Sequence, residues 1–224
     1  MMKTLIIAPH PDDETLGVGG TILRRINTKN KVAWLIVTNI SSNNKNLKIV
    51  NERNKLINKV SKSYKFNRVF KLDLANSELD NINLKFLIEK ISKIFKTFKP
   101  NEIFVPHPSD AHTDHKKVFQ AISATTKVFR YPYIKRILSY ETLSETEYGL
   151  TTHKNKKGFI PNYFVNIDKF IDKKIKIAKI YKTEIKKHPF PRSIIGIKAL
   201  ASIRGAQSNN KFAEAFELLR AIED

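Results

Sequence analysis

Residues 4–14 read Thr4-Leu5-Ile6-Ile7-Ala8-Pro9-His10-Pro11-Asp12-Asp13-Glu14, and this stretch decides the fold. Its first five residues form a nearly continuous apolar run, the pattern of a parallel strand covered on both faces. Pro9 and Pro11 end the run, because proline cannot donate to a sheet ladder. A helix is predicted straight after, over Glu14–Ile26. Strand, tight polar turn and helix together open an α/β unit. The turn residues have an ordinary reading, in which Asp12 or Asp13 caps the helix. They also have a chemical one: a His and a carboxylate three residues apart on a tight turn can reach one ion.

Moving outward, Val32–Thr38, Arg68–Leu72 and Glu102–Val105 read as further buried strands. Helices are predicted between them, at Leu47–Ser61 and at Leu84–Phe98. In the second of these, Leu84, Leu87, Ile88, Ile91, Ile94, Phe95 and Phe98 recur at three- and four-residue intervals, and Pro100 closes it. Another helix is predicted after His115, with Val118, Phe119 and Ile122 on one face. This alternation predicts a Rossmann-like, doubly wound, mostly parallel sheet with helices on both faces. Ile137–Tyr140 and Asn162–Ile167 read as strands, Leu143–Gly158 as a polar loop, and Lys169–Ile185 and Ile194–Arg204 as helices. There is no internal repeat and no Gly/Ser linker. One domain over residues 1–224 is expected, with a core sheet in 1–142 and residues 143–224 packed on it.

A second polar cluster, Asp110-Ala111-His112-Thr113-Asp114-His115, follows the fourth strand. By itself it reads as a loop with Asp114 near a helix start. Two His three apart are nevertheless uncommon in such a loop when the chain has six His in all. In a common doubly wound order the first and fourth strands are neighbours, and ligands bind beyond their carboxyl ends. The two clusters are therefore expected to meet. Imidazole and carboxylate without thiol suit a catalytic zinc with three protein ligands and an open position for water.

Composition narrows the classes. With 224 residues, 41% hydrophobic and 28% charged, the chain can bury one core. It has no Cys, which excludes disulfides, thiolate zinc sites, iron–sulfur clusters and a Cys nucleophile, and fits a reducing compartment. The apolar start is too short for a signal-peptide core and no run reaches the length of a membrane span. A cytoplasmic location is expected. Lys and Arg number 41 against 21 Asp and Glu, a net charge of +20. The Lys residues are spread from Lys3 to Lys211 rather than gathered in one patch, so nucleic acid is not the expected partner. The positive field recruits an anionic small substrate or keeps the protein soluble.

The two clusters together resemble the LmbE/PIG-L family of zinc-dependent de-N-acetylases. The resemblance rests on Ala8-Pro9-His10-Pro11-Asp12-Asp13-Glu14, Gly17 and Gly19-Gly20, and on Asp110–His115. It continues more weakly in Asn51-Glu52-Arg53, Tyr140-Glu141, Pro161-Asn162 and Phe212-Ala213-Glu214-Ala215-Phe216. It implies that one zinc ion per chain is held by His10, Asp13 and His115, with Asp12 as general base. By the same resemblance His112 stabilises or protonates the tetrahedral intermediate, Asp114 orients a neighbouring His, and Arg53 meets the substrate. The implied reaction hydrolyses the acetamido group of an N-acetylated sugar of the N-acetylglucosamine type, nucleotide- or otherwise anion-linked sugars included. Two positions depart from the family: Leu56 stands where many members carry Glu, and Pro9 where Ala is usual.

Other readings remain. An amidase acting on a thiol-cofactor conjugate would use the same site, and a metal phosphoesterase also uses His and Asp but wants two metals. His107 sits near the site or is a solvated loop residue. His153 and His188 read as surface residues, and Trp34 as core or helix packing. Glu214 either lines the pocket or belongs to a short edge strand, while Gly19-Gly20 most simply allows close helix–sheet packing.

Overall fold

A computed structural model describes residues 1–40, 46–150 and 158–223. Its strands are β1 Lys3–Ala8, β2 Lys31–Thr38, β3 Arg68–Leu74, β4 Glu102–Pro106, β5 Arg136–Tyr140, β6 Tyr163–Asn166 and β7 Ala213–Ala221. Its helices are α1 Asp13–Asn27, α2 Leu47–Tyr64, α3 Leu84–Phe98, α4 Thr113–Thr125, α5 Ile171–Ala178 and α6 Ile194–Ala206. The strands make one sheet in the order β3-β2-β1-β4-β5-β7-β6. Strands β1 to β5 pair in parallel, and β7 runs antiparallel to both β5 and β6. This is the doubly wound, mostly parallel arrangement expected, with β1 beside β4.

The period-two alternation of strand side chains divides the core into two layers. Ile6 and Ala8 of β1, Trp34 and Ile36 of β2 and Phe104 of β4 pack under α1, α2, α5 and α6. Leu5, Ile7, Ala33, Leu35, Ile103 and Val105 face α3 and α4 on the other side. That division explains the unbroken apolar character of β1, β2 and β4, each of which is covered on both faces. The expectation of a buried strand at Arg68–Leu72 is corrected: β3 sits at the sheet edge, with one neighbour only, and every residue of it is half-buried or exposed. Trp34 is fully buried and stacks on Phe66 at a centroid distance of 5.5 Å, a core residue.

Two expectations for the C-terminal part are corrected. The helix predicted over Lys169–Ile185 stops at Ala178 and continues as a series of turns. The apolar spacing persists beyond it because those turns keep burying the same side: Tyr181 is buried and its hydroxyl donates to Glu14 Oε1 at 2.6 Å. The segment carrying Glu214 is neither a pocket wall alone nor an edge strand. It lies in β7, which has neighbours on both sides.

Glu214 reaches back to α1. Its two carboxylate oxygens accept the N–H groups of Gly20 and Thr21, each at 2.7 Å. Lys174 of α5 donates to Glu214 Oε1 at 2.7 Å and to Leu16 carbonyl at 2.8 Å. Gly20 permits the approach: a Cβ there would come within 2.6 Å of Ile167 Cγ2. Close packing was the expected reason for Gly19-Gly20, and the structure supplies it. The helix that carries Asp13 is thereby clamped to the far half of the sheet.

Candidate metal centre and active site

Strands β1 and β4 run side by side, with Leu5 opposite Ile103 and Ile6 opposite Phe104, so the residues that follow them emerge at the same end of the sheet. The turn after β1 is tied to β2, since Pro9 carbonyl accepts the Thr38 amide at 2.9 Å and its hydroxyl at 2.8 Å. Asp12 stands at the head of α1 with φ 147°, a region that favours glycine and strains any other residue. Its N–H is held by Glu14 Oε2 at 3.1 Å, and its carbonyl accepts Thr15 and Leu16, each at 2.9 Å. The strained turn lets Asp13 fold back, so that its Oδ2 accepts the His10 amide at 2.8 Å.

Three donor atoms converge. His10 Nδ1 and Asp13 Oδ2 are 3.4 Å apart, His115 Nε2 and Asp13 Oδ2 3.3 Å, and His115 Nε2 and His10 Nδ1 3.3 Å. With ligand bonds of ~2.0–2.1 Å, the edge of a tetrahedral zinc site is about 3.3–3.4 Å. The triangle therefore has the size and the chemistry to hold such an ion. An overlapping set, His10, His112 and Asp114, also offers donor atoms within 4.8 Å of one another.

The other nitrogen of each imidazole is held by a carboxylate. His10 Nε2 lies 3.0 Å from Asp114 Oδ2, and His115 Nδ1 lies 2.8 Å from Asp110 Oδ2. These carboxylates are themselves anchored. Asp114 accepts the amides of Ser77 at 2.8 Å and Leu79 at 3.1 Å, and Asp110 Oδ1 accepts the Thr146 hydroxyl at 2.6 Å. Carboxylate–histidine pairs of this kind fix which nitrogen is presented to a metal. Asp114 thus sits where an orienting residue was expected. In the sequence Asp110 is visible only as the first residue of its motif, with no role of its own. The usable signal is that a ligating imidazole needs an acidic partner.

His112 caps α4 through its side chain, Nδ1 accepting the Asp114 amide at 3.1 Å. Its ring centroid is 4.4 Å from that of His10 and 5.5 Å from that of His115. Arg53 is not part of the His/Asp cluster. It donates to Pro11 carbonyl at 3.2 Å, lies 3.8 Å from Glu184, and lines an adjoining cleft of about 390 Å³. Leu56 lines the same cleft.

The charges are strongly coupled. Burial pushes the His10 imidazole down, but hydrogen bonds to Asp114 and Asp13 outweigh it and carry it up to about 9. Burial likewise opposes His115, whose contacts with Asp13 and Asp110 raise it to about 10. Burial works upward on Asp13, yet the two His hold it well below the usual carboxylate range. Burial, then the charge of Asp13, pushes Asp12 up to about 7 against the pull of Arg192. Burial raises Glu14 to about 8 against its bonds to Thr15 and Tyr181. His112 is driven down to about 4 by burial and by His10 and His115. Metal ligation needs deprotonated ligands, so a cation and protons compete for the same atoms.

Nothing in the sequence singles out Arg192, yet its Nη1 lies 2.8 Å from Asp12 Oδ2. His107 is not a solvated loop residue. It is 2% exposed, its Nδ1 bonded to Ser109 hydroxyl at 2.6 Å and its Nε2 3.3 Å from Glu217. The short β4 loop turns it inward beneath Phe159. His188 is exposed; His153 lies outside the described residues.

A family model described as PIG-L, GlcNAc-PI de-N-acetylase, matches residues 5–126, a span containing both motifs. Diacetylchitobiose deacetylase of Thermococcus kodakarensis is 23% identical over 234 residues, covering 98% of this chain and 84% of that protein. A conserved protein of Thermus thermophilus shares the fold with a TM-score of 0.78 at 22% identity, over 100% of this chain and 97% of that one. So does GalB of Pseudomonas putida KT2440, a 4-carboxy-2-hydroxymuconate hydratase, with a TM-score of 0.76 at 14% identity over 100% and 99%. The fold alone thus admits different chemistries, and site and family must decide between them. The matched residues make up more than half of the sequence, and on that ground the chain belongs to the PIG-L family of de-N-acetylase enzymes.

Proposed function

We propose that this protein hydrolyses the acetamido group of an N-acetylated amino sugar, releasing acetate and a free amine, with one zinc ion held by His10, Asp13 and His115. The observation that carries the reading is the triangle of His10 Nδ1, Asp13 Oδ2 and His115 Nε2, with edges of 3.3–3.4 Å and the buried carboxylate of Asp12 on the adjacent residue. A zinc ion held there would supply Lewis acidity, acidifying water and polarising an amide carbonyl.

The protein's own groups supply the rest. Asp12 accepts the proton of the attacking water, and that proton is the one the departing amine nitrogen needs. Because His112 Nδ1 accepts the Asp114 amide, its neutral ring carries hydrogen on Nε2. His112 is thus set to donate a hydrogen bond to the developing oxyanion rather than to deliver a proton. Asp110 and Asp114 hold the two ligand imidazoles in register.

The adjoining cleft supports an uncharged sugar. Asn39, Glu52 and Asn76 line it, amide and carboxylate groups of the kind that exchange hydrogen bonds with hydroxyls. Arg53 is matched by Glu184 at 3.8 Å, and Glu52 adds negative charge. The net charge of the molecule is not concentrated there, so a neutral substrate such as the diacetylchitobiose of the Thermococcus kodakarensis relative suits the cleft better than an anion-linked one.

Asp12→Asn and Asp13→Asn separate the two roles, with zinc content and turnover of N,N'-diacetylchitobiose measured on both. Asp12→Asn is expected to keep zinc and lose about 10²–10⁴ in kcat. Asp13→Asn is expected to lose zinc, a neutral amide being the poorer ligand. The reverse pattern would exchange the assignments, and absence of acetate release from wild-type holoenzyme would reject this substrate.

A further inference from the structure

Asp12 holds the reaction's proton in the reading above, and its two carboxylate oxygens are treated differently by the fold. Oδ2 is bonded to Arg192 Nη1 at 2.8 Å. Oδ1 has no hydrogen-bond partner among the described residues. The backbone of Asp12 is pinned on both sides, by Glu14 and by the first turn of α1. Its carboxylate can still rotate about its last torsion, which is broad for Asp. Asp13, of like charge, is the adjacent residue. Arg192 is the group that restrains this rotation.

Arg192 is itself tightly specified. It comes from the segment between α5 and α6, directly before the cap residue Ser193. Its Nε donates to Ser144 hydroxyl at 2.7 Å, Nη1 also lies 3.4 Å from Glu184 Oε2, and Nη2 lies 3.6 Å from Glu145 Oε1. The guanidinium is thus held from three sides, by the loop after β5, by the turns after α5 and by Asp12. A rigid planar fork can meet such a set together, while a lysine ammonium cannot. Three carboxylates around one guanidinium leave it no spare charge for an anionic substrate.

We propose that Arg192 is a positioning residue for Asp12, holding Oδ2 so that Oδ1 is presented to the attacking water. The inference rests on the role of Asp12 given above. A base held in one orientation gains rate through geometry, and a misplacement of about 1 Å can lose ~10²-fold. The loss should therefore fall on kcat and leave KM and metal content unchanged.

The test uses zinc-loaded wild type, Arg192→Met and Arg192→Lys on two probes. N,N'-diacetylchitobiose asks for sugar and amide together, and p-nitrophenyl acetate asks only for hydrolysis of an acyl group. Arg192→Met is expected to lose about 10- to 100-fold in kcat on the probe that wild type turns over, with KM within twofold and zinc retained. Arg192→Lys keeps charge and bulk, guarding against failure to fold, and is expected to show a smaller loss of the same kind. Millimolar guanidinium should restore part of the kcat of Arg192→Ala and none of that of Asp12→Asn. Turnover of the ester but not the sugar by wild type removes the substrate reading and leaves Arg192 to be judged on the ester. A kcat within twofold of wild type in folded, zinc-loaded Arg192→Met and Arg192→Lys, or a loss confined to KM, overturns the proposal, as does wild type inert on both probes.

Discussion

Asp110 shows how much of the site lies one residue behind the atoms that would touch a metal. Its carboxylate is fully buried and divided between His115 Nδ1 and the Thr146 hydroxyl. It fixes the ring so that Nε2 faces Asp13. Asp110→Asn keeps size and shape but replaces a charged acceptor with an amide, weakening the hold on that tautomer. We expect zinc affinity to fall about 10- to 100-fold, the usual range for such outer partners. Equilibrium dialysis against a competing chelator would measure it. Unchanged affinity would mean that Thr113–Thr125 alone sets the orientation of His115. Asp12 makes a second point at this scale. A non-glycine residue at φ 147° carries strain of about 1–3 kcal/mol, held in place here by the bonds of its backbone to Glu14, Thr15 and Leu16.

At the scale of elements, the clamp on α1 is the distinctive feature. Gly17, Gly19 and Gly20 make the middle of α1 intrinsically weak, while Glu214 of β7 and Lys174 of α5 secure it through three hydrogen bonds and are joined to each other by a fourth. The Lys174–Glu214 pair is buried, at 4% and 5% side-chain exposure. Removing one partner leaves the other charge buried and unpaired, which typically costs about 3–5 kcal/mol. Glu214→Gln should therefore lower the urea midpoint strongly, and adding Lys174→Met should recover part of the loss because no unpaired charge remains. If the double variant is no more stable than the single, the amide contacts to Gly20 and Thr21 matter more than the ion pair. The sequence displayed Glu214 within Ala213-Glu214-Ala215-Phe216 but could not show its partner, since α1 lies almost two hundred residues earlier.

For the whole molecule, the net charge of +20 and the charge of the cleft disagree. The cations are dispersed along the chain, while Arg53 beside the cleft faces Glu184 and Arg192 beside Asp12 faces three carboxylates. Charges on the remote surface are screened beyond ~8–10 Å at physiological salt. We therefore expect kcat/KM on N,N'-diacetylchitobiose to change by less than about twofold between low and high ionic strength. A steep fall would show that the global field steers the substrate and would restore the expectation of an anionic one. The described helices place no constraint here from a membrane, none being long and apolar enough to cross one.

The sequence alone determined the alternation of strands and helices, because burial on two faces writes unbroken apolar runs into β1, β2 and β4. It also singled out the two loops that are candidates for the chemistry, because His and Asp at short spacing directly after buried strands are suited to gather ligands and proton carriers at one end of the sheet. The meeting of the two loops followed from the strand order such a fold adopts. Tertiary structure decided what periodicity and spacing cannot encode. The apolar pattern of Lys169–Ile185 was satisfied by a short helix and buried turns, since either keeps Tyr181 on Glu14. Strand β7 entered the sheet between β5 and β6, a placement that depends on which edges are left open by the other strands. Arg192 reached Asp12 across 180 positions because the connection between α5 and α6 folds over that end of the sheet, and a long flexible side chain takes its partner from whatever the fold brings near.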